Sequence, residues 1–142
     1  MSIWFAQPTL DELTTLSAGT LADHLGIEYI TIGADYITAR MPVDRRTVQP
    51  FGLLHGGASV ALAETLGSIG ATLCVNRQEK FCVGLEINAN HVRAARAGHV
   101  WGTASPIHIG GTTQIWQTKI VDAQDRLVCI SRLTLAVLNH KG

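Results

Sequence analysis

Short stretches with helical spacing open the chain, and a strand-like period follows them. Residues 9–16 and 20–25 predict two short helices, the second begun by Thr20 and stopped by Gly26. Residues 27–32 and 36–43 are rich in β-branched and aromatic side chains and flank Gly33-Ala34-Asp35, which predicts a hairpin. Residues 56–75 form an almost uncharged run whose one charge is Glu64, as expected of a helix enclosed by the rest of the fold. A polar break at 77–80 leads into residues 81–93. There Phe81, Val83, Leu85, Ile87 and Ala89 share one parity and Glu86, Asn88 and Asn90 the other, which predicts a strand with one buried face. Further strands are expected at 99–109, with Pro106 marking an edge or a bulge, and at 112–121 after the Gly110-Gly111 turn. Beyond the turn at 122–125, residues 127–138 are apolar on both parities, which predicts a central strand covered on both faces. Short helices, a hairpin, one long helix and then consecutive strands favour an α+β class, with an antiparallel sheet around one buried helix, over a parallel alternation.

Composition narrows the picture. A chain of 142 residues buries about two thirds of the surface its unfolded form exposes, so it needs no disulfide or metal staple. Charged residues are only 15% of the chain, which suggests surface covered by another copy. Eleven basic and eleven acidic residues cancel, and no basic run exceeds Arg45-Arg46, so neither nucleic acid nor an anionic membrane surface is an expected partner. Cys74, Cys82 and Cys129 form no CxxC pair, as expected of reduced thiols. The first residues lack the basic start and apolar core of a secretory signal, and the expectation is a cytoplasmic protein. Residues 56–75 imitate a membrane span, but their glycines make them weakly hydrophobic and a central carboxylate is costly in lipid. The six histidines show no HxH or HExxH spacing, so no metal site is expected.

The remaining signal is chemical. An unpartnered carboxylate in an apolar interior costs several kcal/mol by order of magnitude, so a sequence that keeps one there usually uses it. Glu64 follows Gln49-Pro50-x-Gly52-x-x-His55-Gly56-Gly57 and precedes Gly67-Ser68, and residues 86–93 read EINANHVR. This pattern resembles the hotdog-fold acyl-CoA thioesterases, most closely the aromatic acyl-CoA and 1,4-dihydroxy-2-naphthoyl-CoA thioesterase branch. The resemblance spans roughly residues 26–138. It implies a single hotdog domain over 1–142, with short N-terminal helices in 1–25 and the hotdog core in 26–139. It also implies that the chain hydrolyses an acyl-CoA without any further cofactor, coenzyme A being part of the substrate. Glu64 would be nucleophile or general base and the Gly56 amide would polarise the thioester carbonyl, while Gln49, His55 and Ser68 would position substrate, water or the carboxylate. His91 and Arg93, at the end of their strand with Arg96 nearby, could meet the phosphates of coenzyme A or form a solvated strand end. Residues 94–99 and Gly110-Gly111 depart from the family pattern, with Ala and Gly standing where relatives place basic or polar groups.

Spacing adds an argument about assembly. Gly56 opens the helix, so its N–H has no intrahelical acceptor and lies at the positive end of the helix dipole. Ser68 is four residues from Glu64 and shares its face. His55 and Glu64 are nine residues apart, about 180° round a helix and about 13.5 Å along it, so one chain cannot present both to one carbonyl. If both act on one thioester, the site is shared across a two-fold homodimer. The resembled families form such dimers, often paired into tetramers.

Simpler readings exist for each residue: Glu64 as an acid held by a hydrogen bond or an Arg, His55 as a packing residue, Gly56-Gly57 as a tight helix start. Gln49 could be an extended loop residue, and Ser68 a hydroxyl bonded to the preceding turn. The alternative functions are a hotdog-fold acyl-CoA hydratase or dehydratase, and a non-catalytic acyl-CoA-binding module.

Overall fold

A computed structural model of the chain describes residues 1–141; the last residue of the expected 1–142 domain, Gly142, lies outside them. The first helix, α1 (Leu10–Ser17), begins with a capping box: Thr9 Oγ1 accepts from the Glu12 N–H while the Glu12 carboxylate accepts from the Thr9 N–H. One turn of helix, α2 (Leu21–His24), leads to Gly26 at φ 74°, a left-handed position where a Cβ is penalised. The hairpin then forms from β1 (Glu28–Ile32) and β2 (Ile37–Pro42), closed by Gly33 N–H donating to Tyr36 C=O at 2.8 Å. The long helix α3 (Gly56–Leu73) precedes β3 (Lys80–His91), β4 (His99–Ile109), β5 (Thr113–Val121) and β6 (Leu127–Asn139). All six strands form one antiparallel sheet in the order β1-β2-β4-β5-β6-β3, so β3 ends one side of the sheet and pairs only with β6.

Helix α3 lies against the sheet because small residues let it approach. A Cβ on Gly70 would meet the Trp116 ring at 2.6 Å, and one on Gly67 would meet Leu133 at 2.8 Å. Trp116 is 1% exposed. An indole buries about 150–250 Å², worth about 4–6 kcal/mol at 25 cal/mol per Å² as an upper bound. Its Nε1–H donates to Gln114, whose own amide donates to the Ala71 carbonyl of the helix, and its face stacks on Trp4 at 6.3 Å. The N-terminal segment is thereby tied down: Trp4 donates to Gly33 C=O at 2.8 Å, and Phe5 N–H to Leu73 C=O at 2.9 Å.

Three expectations change. The alternation read in residues 81–93 is broken by a β-bulge between Gly84 and Glu86, which leaves Leu85 as an extra residue. Cys82 and Gly84 therefore pair with buried Val137 and Leu135, and Ile87 and Ala89 with Leu133 and Ser131, while Phe81 and Val83 lie on the opposite face. Strand β6 is central, but beyond Val128 only its odd-numbered side is buried; Arg132 and Leu138 on the other side are exposed. Nor is α3 enclosed all round. Leu62, Leu66, Gly67 and Gly70 are buried against the sheet, whereas Val60, Ala61, Glu64, Thr65, Ser68, Ile69 and Thr72 form a half-buried stripe that the chain covers only in part, with Ala61 and Ile69 packed against the core and Glu64 beside Gly84 of β3. Pro106 stands at a bulge in β4, beyond the reach of β2, so its missing N–H breaks no ladder bond to that strand. No helix among the described residues is long and apolar enough to cross a membrane.

Candidate active site at the helix start

The segment before α3 is fixed by buried Thr47. Its Oγ1 donates to Pro42 C=O at 2.7 Å and accepts from the Asp44 N–H, and its C=O accepts from the His55 N–H at 2.8 Å. Arg46, pairing with Asp44 at 2.7 Å, holds that carboxyl down at about 2. Between these points the chain turns at Gln49-Pro50-Phe51-Gly52, where Gly52 adopts φ 78° and donates to Gln49 C=O. The Gln49 Oε1 accepts a short hydrogen bond from the Phe51 N–H. Its only acceptor atom is thereby engaged at home, and the side-chain NH₂ is what remains to offer.

The helix start follows the same logic. His55 is the N-cap and its Nδ1 accepts from the Gly57 N–H at 2.7 Å, so the proton of the neutral ring is on Nε2. Ala58 and Ser59 donate to the His55 C=O. Of the first-turn amides, Gly56 N–H alone donates to no group among the described residues. The loop and helix start thus present three donors, the Gln49 amide, the His55 Nε2–H and the Gly56 N–H, with the Gln49 Oε1 and His55 Nδ1 acceptors already engaged. Such a set matches an anionic or strongly polarised carbonyl oxygen.

A cleft of about 340 Å³ opens here, lined by Gln49, Leu54, Gly56, Ser59, His91, Arg93 and Val128. It adjoins a second of about 690 Å³ that shares Val92, Arg93 and Ala94 and carries Arg96, His99 and Arg126. Arg126 is held by Asp122 at 2.9 Å; its backbone N–H, more than its guanidinium, keeps the Asp122 carboxyl below the usual range. Arg93 and Arg96 form no ion pair among the described residues.

Glu64 and Ser68 do not line this cleft. Glu64 is half-buried on the open stripe of α3, and its Oε2 lies 3.0 Å from where a Cβ on Gly84 would stand. The glycine beside the bulge leaves room for the carboxylate. The expected site residues therefore fall into two groups in one chain: Gln49, His55, Gly56, His91 and Arg93 at the helix start, Glu64 and Ser68 farther along its partly covered side. Sequence reasoning missed Gly84, although a glycine inside a strand pattern signals a bulge or a close approach. It also missed Ser59, buried in the helix start with no motif to mark it.

The profile of the family described as "Thioesterase superfamily" matches residues 51–129, a span that takes in the helix start, Glu64, Ser68, His91 and Arg93. The chain belongs to the thioesterase superfamily. The relatives agree at higher identity. This thioesterase is 52% identical to the 1,4-dihydroxy-2-naphthoyl-CoA hydrolase of Escherichia coli, over 96% of this chain and 99% of that one. It is also 52% identical to the proofreading thioesterase EntH of Cronobacter turicensis, over 96% and 98%. A crystal structure of a mutant thioesterase from Pseudomonas aeruginosa superposes with a TM-score of 0.96 at 46% identity, covering 98% of this chain and all of that one. The fold is the hotdog fold expected from the sequence, and the protein is a thioester hydrolase.

Proposed function

We propose that this thioesterase hydrolyses acyl-CoA, with an aromatic acyl group preferred, at sites shared between two copies of the chain. The observation that carries the proposal is the division just described. At the helix start Gln49 and His55 have their acceptor atoms tied to backbone amides and are left to donate, and the acid stands apart on a partly covered helix face. No carboxylate lines the cleft at the helix start, so the acid comes to it from a two-fold partner's Glu64. The partner has a place to sit: β3 leaves one edge unpaired, and the half-buried stripe of α3 leaves a face only partly covered. Pairing of two such dimers completes the assembly.

In this reading the Gly56 N–H and the Gln49 amide receive the thioester oxygen as it gains charge. Glu64 of the second copy attacks the carbonyl carbon or deprotonates a water held by Ser68. In the first case the carbon–sulfur bond breaks to leave a mixed anhydride on Glu64, which water then hydrolyses; in the second the water oxygen bonds the carbon as the carbon–sulfur bond breaks, and in both a proton from the water ends on the leaving thiolate, giving the free acid and the coenzyme A thiol. Arg93 and Arg96, both without an ion pair among the described residues and beside the adjoining cleft, suit the phosphates of the nucleotide. The aromatic preference rests on the naphthoyl-CoA hydrolase relative at 52% identity. A thiol-release screen tests the reading with benzoyl-, hexanoyl- and palmitoyl-CoA and an acyl-carrier-protein thioester. Benzoyl-CoA should give the highest kcat/KM, and Glu64→Gln should lower kcat by more than about 10³-fold. Unchanged turnover in that variant would remove Glu64 from the mechanism.

A further inference from the structure

The sequence pattern groups His91 with Arg93 at the end of a strand, as a pair for the coenzyme A phosphates. The structure sets the two apart. His91 is the last residue of β3 and pairs with Cys129, which is fully buried, so its side chain leaves the sheet on the side of the helix. There it lies on Gly56: an ideal Cβ at that glycine would be 2.8 Å from Nε2, 3.1 Å from Cε1 and 3.3 Å from Cδ2 of the imidazole. Three ring atoms at nearly equal distance place the flat of the imidazole over the Gly56 Cα, beside the amide that has no acceptor. Arg93 lines both clefts, but His91 lines only the one that contains Gly56 and Gln49.

Two further observations bear on its role. The backbone beyond His91 is anchored, with Val92 and Arg93 N–H both donating to Val128 C=O at 2.7 and 3.2 Å, so the ring is carried by a fixed strand end. Neither ring nitrogen has a hydrogen-bond partner among the described residues; the histidines that do are His55 and His140. An imidazole N–H held against that amide can add a further directed donor, beside the Gln49 amide, to whatever oxygen the Gly56 N–H receives.

We propose that His91 is a residue of the reaction centre: its Nε2–H joins the Gly56 N–H in binding the thioester carbonyl oxygen, and it does not bind the nucleotide. This rests on the acyl-CoA thioesterase reading and deepens it. Gly56 is then required not only for the helix start but because any side chain there would displace the imidazole.

The discriminating experiment uses two substrates with the same acyl group, benzoyl-CoA and benzoyl-N-acetylcysteamine, the second lacking every phosphate. His91→Phe keeps a flat ring over Gly56 and removes both nitrogens; His91→Ala removes the ring; Arg93→Ala is the comparison. The expected result is a fall in kcat of about 10²- to 10³-fold in both His91 variants, equal for the two substrates, with KM for benzoyl-CoA nearly unchanged. Arg93→Ala should raise KM for benzoyl-CoA alone. Melting curves of the variants confirm that they fold. A His91 defect seen only with benzoyl-CoA would make the residue a phosphate ligand and overturn the proposal, as would full activity in His91→Phe, which would reduce the ring to packing. If the unsubstituted protein cleaved neither thioester, the acyl-CoA reading itself would fall, a failure separate from either of these.

Discussion

The division of the site between two chains can be tested by complementation. His55→Ala removes a donor from the helix start and should lower activity by about 10²- to 10³-fold, and Glu64→Ala removes the acid and should lower it by more than about 10³-fold. His55→Ala also loses the bond from Gly57 N–H, a cap worth about 1 kcal/mol, which a domain with about 5–15 kcal/mol of stability withstands. Mixing the two inactive proteins in equal amounts and allowing exchange makes about half of all dimers mixed, if pairing is random. In each mixed dimer one site combines the intact His55 of one chain with the intact Glu64 of the other, and the second site lacks both. Half the dimers with one of two sites restored gives about one quarter of the native activity per chain, from parents each below about 1%. The assay is thiol release from benzoyl-CoA, with exchange followed by native mass spectrometry on chains of different mass. Proven exchange without recovery would refute the shared site. It would mean that α3 bends or unwinds enough to bring residues about 13.5 Å apart to one carbonyl.

Other outcomes follow from the packing and the thiols. Gly70→Ala places a Cβ 2.6 Å from the indole of Trp116, which is held by Gln114 and by Trp4 and cannot swing away. Overpacking of about 3 kcal/mol exceeds the roughly 1 kcal/mol gained in helix propensity. At about 2.1 cal/mol/K of unfolding entropy per residue, the net 2 kcal/mol lowers Tm by about 7 °C at fixed protein concentration; a rise in the calorimetric Tm would show that the helix can move off the sheet. Burial pushes the Cys74 thiol up to about 12, with the nearby Cys82 adding to the shift, and burial also raises Cys82 and Cys129. At pH 8 a thiol at about 12 is ionised to only about 10⁻⁴, so Ellman's reagent should label Cys74 slowly in the folded protein and all three thiols quickly in guanidinium. Rapid labelling of Cys74 in the native state, located by mass spectrometry, would contradict its burial.

What could be read in the sequence, and what could not, follows a physical line. Elements whose signals are local were legible: the Gly33 and Gly110 turns, the Thr20 and Gly26 boundaries, and the long helix at residues 56–75. The HGG start and the nine-residue offset made the separation of His55 from Glu64 along one chain legible too, since a regular helix fixes both angle and rise. The facing of β3 was not. Its residues alternate without a flaw, but Leu85 is not counted by the ladder, and only the pairing with β6 reveals where the count skips. The burial of Glu64 was overstated for a similar reason. An uncharged helix announces that all its faces are covered, yet not whether its own sheet or another copy covers them. The place of His91 over Gly56 depends on how strand and helix cross, which no spacing within either element encodes.

The hydrogen bonds that hold Gln49 and His55 end on the amides of Phe51 and Gly57. Main-chain amides are the one part of a protein that substitution leaves in place, unless proline is introduced. Side chains elsewhere around the site can therefore change without re-aiming Gln49 and His55, because neither is hydrogen-bonded to another side chain. The same arrangement lets a lineage change which acid it releases while the bond-breaking apparatus stays fixed, and it directs a search for altered substrate range to the half-buried stripe of α3 rather than to the loop.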